Sequence, residues 1–240
     1  MSSSRQRPER PAQTSSQEAG ASSPSASIRA EEAEFAELYA VNKTNRRYAL
    51  ELVQQPERGL AAGLELPAFG RMPLQPAYVL QMQVYEAERE LGPQEYADEL
   101  PFFICSTTLF ERDDPAEEGQ PEVQRRADVV SKIGAESQQV TTMVGQLVTT
   151  ALSTTDLQGQ PAVYFGFGDL SVRIPGEFRI RFSLGQALPG APLITHVMSD
   201  ILSIYEEPEF TMPPNRADTA LSRHLRAEGM ALFHPIQQQT

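Results

Sequence analysis

The chain carries one cysteine, Cys105, no tryptophan and three histidines. A single thiol cannot form an internal disulfide, and no cysteine-rich zinc site can be built around it. His196, His224 and His234 fall in three separate elements with no metal-ligand spacing among them, so no metal is expected. No apolar run reaches the ~20 residues that a membrane-crossing helix needs. The opening "MSSSRQRPERPAQTSSQEAG" lacks the apolar middle of a secretory signal. These absences imply a reducing, intracellular setting without a membrane partner, in which the sequon Asn42-Lys43-Thr44 carries little meaning. Cations are scarce as well. The 20 Lys+Arg stand against 32 Asp+Glu, and the net charge of −12 argues against broad, nonspecific attraction to nucleic acid or acidic membranes.

Catalytic patterns are missing too. There is no Gly-x-Ser-x-Gly elbow, no P-loop and no His-Glu-x-x-His. "GFGDLS" has the glycines of a phosphate loop, but a strand-like segment follows it where a helix would have to open. Cys105 sits in an apolar run, where a thiol is a small buried hydrophobe and not a nucleophile. The expectation is a protein that is not an enzyme, with no cofactor and no small-molecule substrate.

What is present is organised in segments. Residues 1–27 are rich in Ser, Gln, Pro and Arg, with almost no large apolar side chain, and read as a disordered tail. Residues 28–44 place Ile28, Phe35, Leu38 and Tyr39 on one helical face among glutamates. They read as an acidic amphipathic helix or linker, with a partner-binding acidic–hydrophobic peptide as the alternative. Residues 45–236 form the domain, and 237–240 a polar tail. Within the domain "RRYALELVQQP" alternates Tyr48, Leu50 and Leu52 against Ala49, Glu51 and Val53, as a half-buried strand does, and stops at Pro56. "AYVLQMQVYE" alternates likewise, while "LPFFICSTTLFE" reads as a strand buried on both faces. "VTTMVGQLVTTALS" and "ITHVMSDILSIYEE" are strand-like. Residues 112–139 lack apolar periodicity and read as a long flexible insertion loop. "DTALSRHLRAEG" reads as a helix capped by Asp218 or Thr219, with Leu221 and Leu225 on one face and Gly229 at its end.

The most ordered stretch is "GDLSVRIPGEFRIRFSLG". Phe178, Ile180, Phe182 and Leu184 alternate with Arg179, Arg181 and Ser183, one apolar face against one cationic face. Pro175-Gly176 supplies a fixed φ and then a permissive one, so "SVRI" and "FRIRFSL" read as a β-hairpin. About seven short strands without alternating long helices give a mainly β chain, an antiparallel β-sandwich with a few short helices.

Taken in order, "YALELVQQPERG", "RMPLQPAYVLQMQV", "PFFICSTTLF", "MVGQLVTTAL", "FGFGDLSVRIPGEFRIRFSL" and "TALSRHLRAEGM" resemble the velvet family of fungal transcriptional regulators. The most specific piece is "DLSVR", a short turn and "FRIRFSL"; next comes "LVQQPERG". The resemblance runs from about Asn45 to Pro235. It implies an immunoglobulin-like sandwich related to Rel-type transcription factors. It also implies residence in the nucleus with a cytoplasmic pool, homo- or heterodimers with other velvet proteins, and in several members direct DNA binding. The processes implied are development, sporulation and secondary metabolism.

For the DNA contact, Arg58 matches the first arginine of the "QQPxR" motif. Leu60 stands at the second basic position, and the following basic cluster has thinned to Arg71. Arg46, Arg47, Arg58 and Arg71 are thus the candidate cationic edge, each with the alternative of a solvated charge or a salt bridge. The rival reading is a velvet-fold interaction subunit that dimerises and never touches DNA, favoured by the missing basic residues. Limited proteolysis is expected to cut residues 1–27 and 112–139 before any other place. Early cleavage within "FRIRFSL" would overturn this organisation.

Overall fold

The structure, a computed structural model, describes residues 46–64, 71–112, 127, 129–133, 138–188, 191–210 and 218–232. The expected tail 1–27, the segment 28–44 and the terminal 237–240 lie outside the described residues. Two main sheets dominate. The first has the order β1 (Arg46–Gln54), β3 (Tyr78–Glu86), β11 (Pro161–Phe167), β10 (Leu152–Thr155), with the short β4 (Arg89–Leu91) also on β3. The second has the order β2 (Arg58–Leu60), β15 (Leu202–Tyr205), β13 (Gly176–Gln186), β5 (Phe103–Glu111), β9 (Val148–Thr150), with β14 (Thr195–Met198) also on β13. Every pairing in them is antiparallel except β2 with β15.

Period-two alternation decides what lies between the sheets. Tyr78, Leu80, Met82 and Val84 of β3 and Phe178, Ile180, Phe182 and Leu184 of β13 belong to one buried cluster with Tyr48 and Leu52 against it. Phe182 is fully buried, its ring 5.0 Å from Tyr78 and 5.2 Å from Phe167, both tilted. The chain is the mainly β sandwich that its alternation implies. β5, expected to be buried on both faces, is so only at Leu109 and Phe110, the latter beneath Arg181 on the outer face; before them Phe103 and Cys105 are buried while Ile104, Ser106 and Thr108 are half-buried.

A third layer covers part of the first sheet. The single α-helix among the described residues, α1 (Ala220–Ala227), lays Leu225 on Val79, Ala162 and Tyr164, the outward side chains of β3 and β11. Thr219 is its N-cap, accepting from the Ser222 N–H at 2.9 Å, and Gly229 follows its end with φ +95. Asp218 receives Arg226 and Arg223 instead.

The hairpin of "SVRI" with "FRIRFSL" does not form. β12 (Ser171–Val172) pairs with β8 (Met143–Val144), and β13 is flanked by β5 on one side and by β14 and β15 on the other. Alternation reports which way side chains face and is silent on the neighbouring strand. Similarly, "ITHVMSDILSIYEE" is two strands. Ser199 interrupts it, donating its N–H to Ile180 O at 2.8 Å and accepting from Ile180 N–H at its hydroxyl at 2.9 Å. Within 112–139, Val129–Ile133 forms β6 and pairs with β7 (Gln138–Thr141), in keeping with its β-branched content.

Phe182→Ala is expected to cost about 3–5 kcal/mol by emptying this aromatic contact. Arg181→Ala, on the other face and stacked over Phe110 at 4.9 Å, is expected to cost about 1 kcal/mol or less. Thermal unfolding of the two variants checks the difference; equal losses would mean a different register.

Candidate nucleic-acid interface

The "QQPER" motif is where the chain leaves one sheet for the other. Gln54 ends β1 and is buried; its amide donates to Ala77 O at 2.7 Å and Ser222 Oγ at 3.0 Å, and its carbonyl accepts from the Thr219 hydroxyl. Gln55 clasps Asp200 from both sides of its amide, donating to the carboxylate at 2.5 Å and accepting from Asp200 N–H at 3.0 Å. Pro56 ends β1, having no N–H to continue a ladder. Two residues later Arg58 enters β2, opposite Ser203. The backbone at Gly59 passes so close to Leu74 and Ile204 that a Cβ there would sit 2.3 Å from Leu74 Cδ2. Gly59 therefore faces the core, and Arg58 and Leu60 face outward.

The segment Asp169–Arg173 clamps the connection from β2 to β3. Val172 O and Arg173 O accept from Ala62 and Gly63 N–H at 2.8 and 3.0 Å, and the Arg173 guanidinium donates to Gly63 O at 3.1 Å. At the far end Leu170 O accepts from Leu74 N–H at 2.7 Å, the Ser171 hydroxyl donates to Met72 O, and Asp169 holds Arg71 at 2.6 Å. "DLSVR" is thus a clamp and not half of a hairpin. Asp169, Arg173, Gln54 and Gln55 were not legible as a site because, apart from Ala77 23 residues beyond Gln54, the partners of their side chains lie 98 to 168 residues away.

The four candidate arginines do not form one edge. Arg46 and Arg47 begin β1, and Gln54, beside Arg58, ends it, which separates the two ends by about 26 Å at ~3.3 Å per residue. The Arg46 side chain is 6% exposed, paired with Glu99 at 2.6 Å and Glu86 at 3.7 Å. Arg47 is exposed, its guanidinium 4.2 Å above the Tyr85 ring. The Arg71 side chain is 9% exposed against Asp169. Arg58 is exposed and has no partner among the described residues.

Among the described residues no group of three or more His, Cys, Asp and Glu could hold a metal ion, and no helix is long and apolar enough to cross a membrane. Burial pushes the Cys105 thiol up to about 12, leaving it protonated and unreactive at neutral pH.

Gln54→Ala strips Ala77 O, Ser222 and Thr219 of a common partner and is expected to cost about 1–3 kcal/mol. Hydrogen exchange is expected to rise in α1 before it rises in β13. Unchanged exchange at Ser222 and Leu225 would show that apolar contact alone holds the helix.

The family model of the velvet factor matches residues 48–131 and 114–234. The sexual development regulator VELC of Pyricularia oryzae is 27% identical over 196 residues, covering 76% of this chain and 39% of that protein. The sexual development regulator umv3 of Mycosarcoma maydis is 28% identical over 195 residues, 78% of this chain and 44% of that protein. The velvet complex subunit 2 of Gibberella moniliformis is 28% identical over 137 residues, 52% of this chain and 30% of that protein. The chain spans less than half the length of each of these relatives. With both sheets, the "QQPER" crossing and the "DLSVR" clamp inside the matched residues, the chain belongs to the velvet factor family.

Proposed function

We propose that the chain is a velvet-type regulator of fungal development and secondary metabolism, acting in the nucleus with a cytoplasmic pool. Two relatives named as sexual development regulators support the first part of this reading. It works as a homo- or heterodimer with other velvet proteins, a reading supported by the relative named velvet complex subunit 2. It contacts DNA through few arginines, with a more basic partner adding charge. The observation that carries this is Arg58, an exposed, outward arginine that lacks a partner among the described residues and stands in the crossing motif. Arg47 presents a second cation at the other end of β1, whereas Arg46 and Arg71 serve by holding Glu99 and Asp169.

The net charge of −12 does not forbid such a contact, since screening confines repulsion to about 10 Å at 0.1 M salt. It does limit affinity, because phosphate contacts supply most nonspecific binding. The second reading, a dimerising subunit that never meets DNA, is favoured by the ion pairing of Arg46 and Arg71.

Duplex DNA titrated at several salt concentrations, with the chain alone and mixed with a velvet partner, separates the two. Arg58→Ala is expected to flatten the dependence of log K on log salt by about 0.9 for each phosphate left without its cation, and to leave dimerisation by light scattering unchanged. Arg71→Ala is expected to lower the melting temperature instead, by releasing the loop from Asp169. A heterodimer with the same affinity and slope with and without Arg58 favours the second reading.

A further inference from the structure

Of the eleven arginines among the described residues, nine have a partner there. Six meet carboxylates, Arg47 and Arg181 lie over rings, and Arg173 meets backbone carbonyls. The two without one are Arg58 and Arg179, both exposed. In a chain where acids outnumber bases by 32 to 20, two exposed guanidinium groups without a partner among the described residues call for a reason.

Strand register brings them together. Arg58 lies opposite Ser203 on β15, and Ser203 lies opposite Glu177 on β13. Arg58 is therefore two strands across from Glu177, about 10 Å, and Arg179 is one same-face step of about 7 Å further along β13. Because Phe178, Ile180 and Phe182 face the core, Glu177, Arg179 and Arg181 share the outer face with Arg58. Arg112, just past β5, reaches the same place and pairs with Glu177. Four cations thus gather about Glu177, which Arg112 already neutralises, while the exposed carboxylates Glu57, Glu111 and Asp200 lie at the margins.

We propose that this outer face of the second sheet, centred on Arg58 and Arg179, is the surface that meets the phosphates of duplex DNA. This rests on the DNA-contacting reading above and moves the contact from a loop edge to a sheet face. The neighbours suit a phosphate backbone: Ser203 beside Arg58, Thr108 opposite Arg181 and Ser183 one step beyond it are half-exposed hydroxyls, and Arg, Ser and Thr are the usual phosphate donors. A protein partner would need an apolar anchor. Of the exposed large hydrophobics among the described residues, Val53, Met72, Val148, Leu157 and Leu193, only Val148 shares this outer face, on β9 opposite Ser106, at the far edge of the sheet from Arg58. The same-face step of about 7 Å between Arg179 and Arg181 is roughly two nucleotide rises along one strand.

The test uses the full chain with its velvet partner and a random-sequence duplex, with affinity measured by fluorescence anisotropy from 50 to 200 mM salt. Wild type is expected to bind. Arg58→Ala/Arg179→Ala is expected to lower the salt slope by about 1.8, so that the affinity ratio across this range shrinks about tenfold. Arg58→Lys/Arg179→Lys is expected to keep the slope, and all variants to keep the melting temperature and the dimer. Unchanged slope in the alanine pair would refute the sheet face and leave DNA binding in place. Absence of any duplex binding by wild type at 50 mM would refute the DNA reading itself. Loss of the dimer in the alanine pair, with the lysine pair intact, would make this face a protein interface and overturn the proposal.

Discussion

Phe182 between Tyr78 and Phe167 is the contact on which the molecule's orientation rests. Once that ring is inward, period-two geometry leaves β13 no choice: every other residue from Phe178 to Leu184 is core and the arginines between them face out. The same contact sets the faces of β3 and β11 from across the core, and so turns Val79, Ala162 and Tyr164 toward α1. A slip of one residue in β13 would bury Arg179 and Arg181 without partners, at a cost of several kcal/mol per charge. The cationic face and the aromatic core are two readings of one register.

The elements whose information is local were legible in the chain. β1 shows its alternation and its terminating proline, and α1 shows its cap, its leucine pair and its closing glycine. Inward and outward residues of β13 were legible for the same reason. Strand partners were not. The parallel pairing of β2 with β15 joins residues about 145 positions apart, and no local pattern in "RGL" announces it. The break at Ser199 depends on a hydroxyl meeting the Ile180 N–H, a tertiary event inside a run that is uniformly strand-like.

The arginines show the same limit from the side of charge. Arg46, Arg47, Arg58 and Arg71 look alike in sequence, but the structure gives them four environments: a buried ion pair, a ring, open solvent and a clamp. Whether an arginine is available depends on what lies opposite, and Glu99 and Asp169 are supplied from far along the chain. Arg179 lay in plain view in "FRIRFSL", yet its relation to Arg58 required β15 as an intermediary. Motif residues here act mostly as fasteners, and the outward cations sit between them.

Gln54 and Ser222 are joined across 168 residues. During synthesis at ~5–20 residues per second, β1 waits on the order of 8–34 s before the helix that receives its amide leaves the ribosome. Until then Gln54 must be hydrated and the outer face of the first sheet left bare. The contacts that complete this domain are long in sequence, which slows folding relative to helical proteins of its size. A nascent chain would therefore present an uncovered apolar patch over Val79 and Ala162 for the roughly 60 residues of synthesis that separate β11 from α1, a natural station for a chaperone.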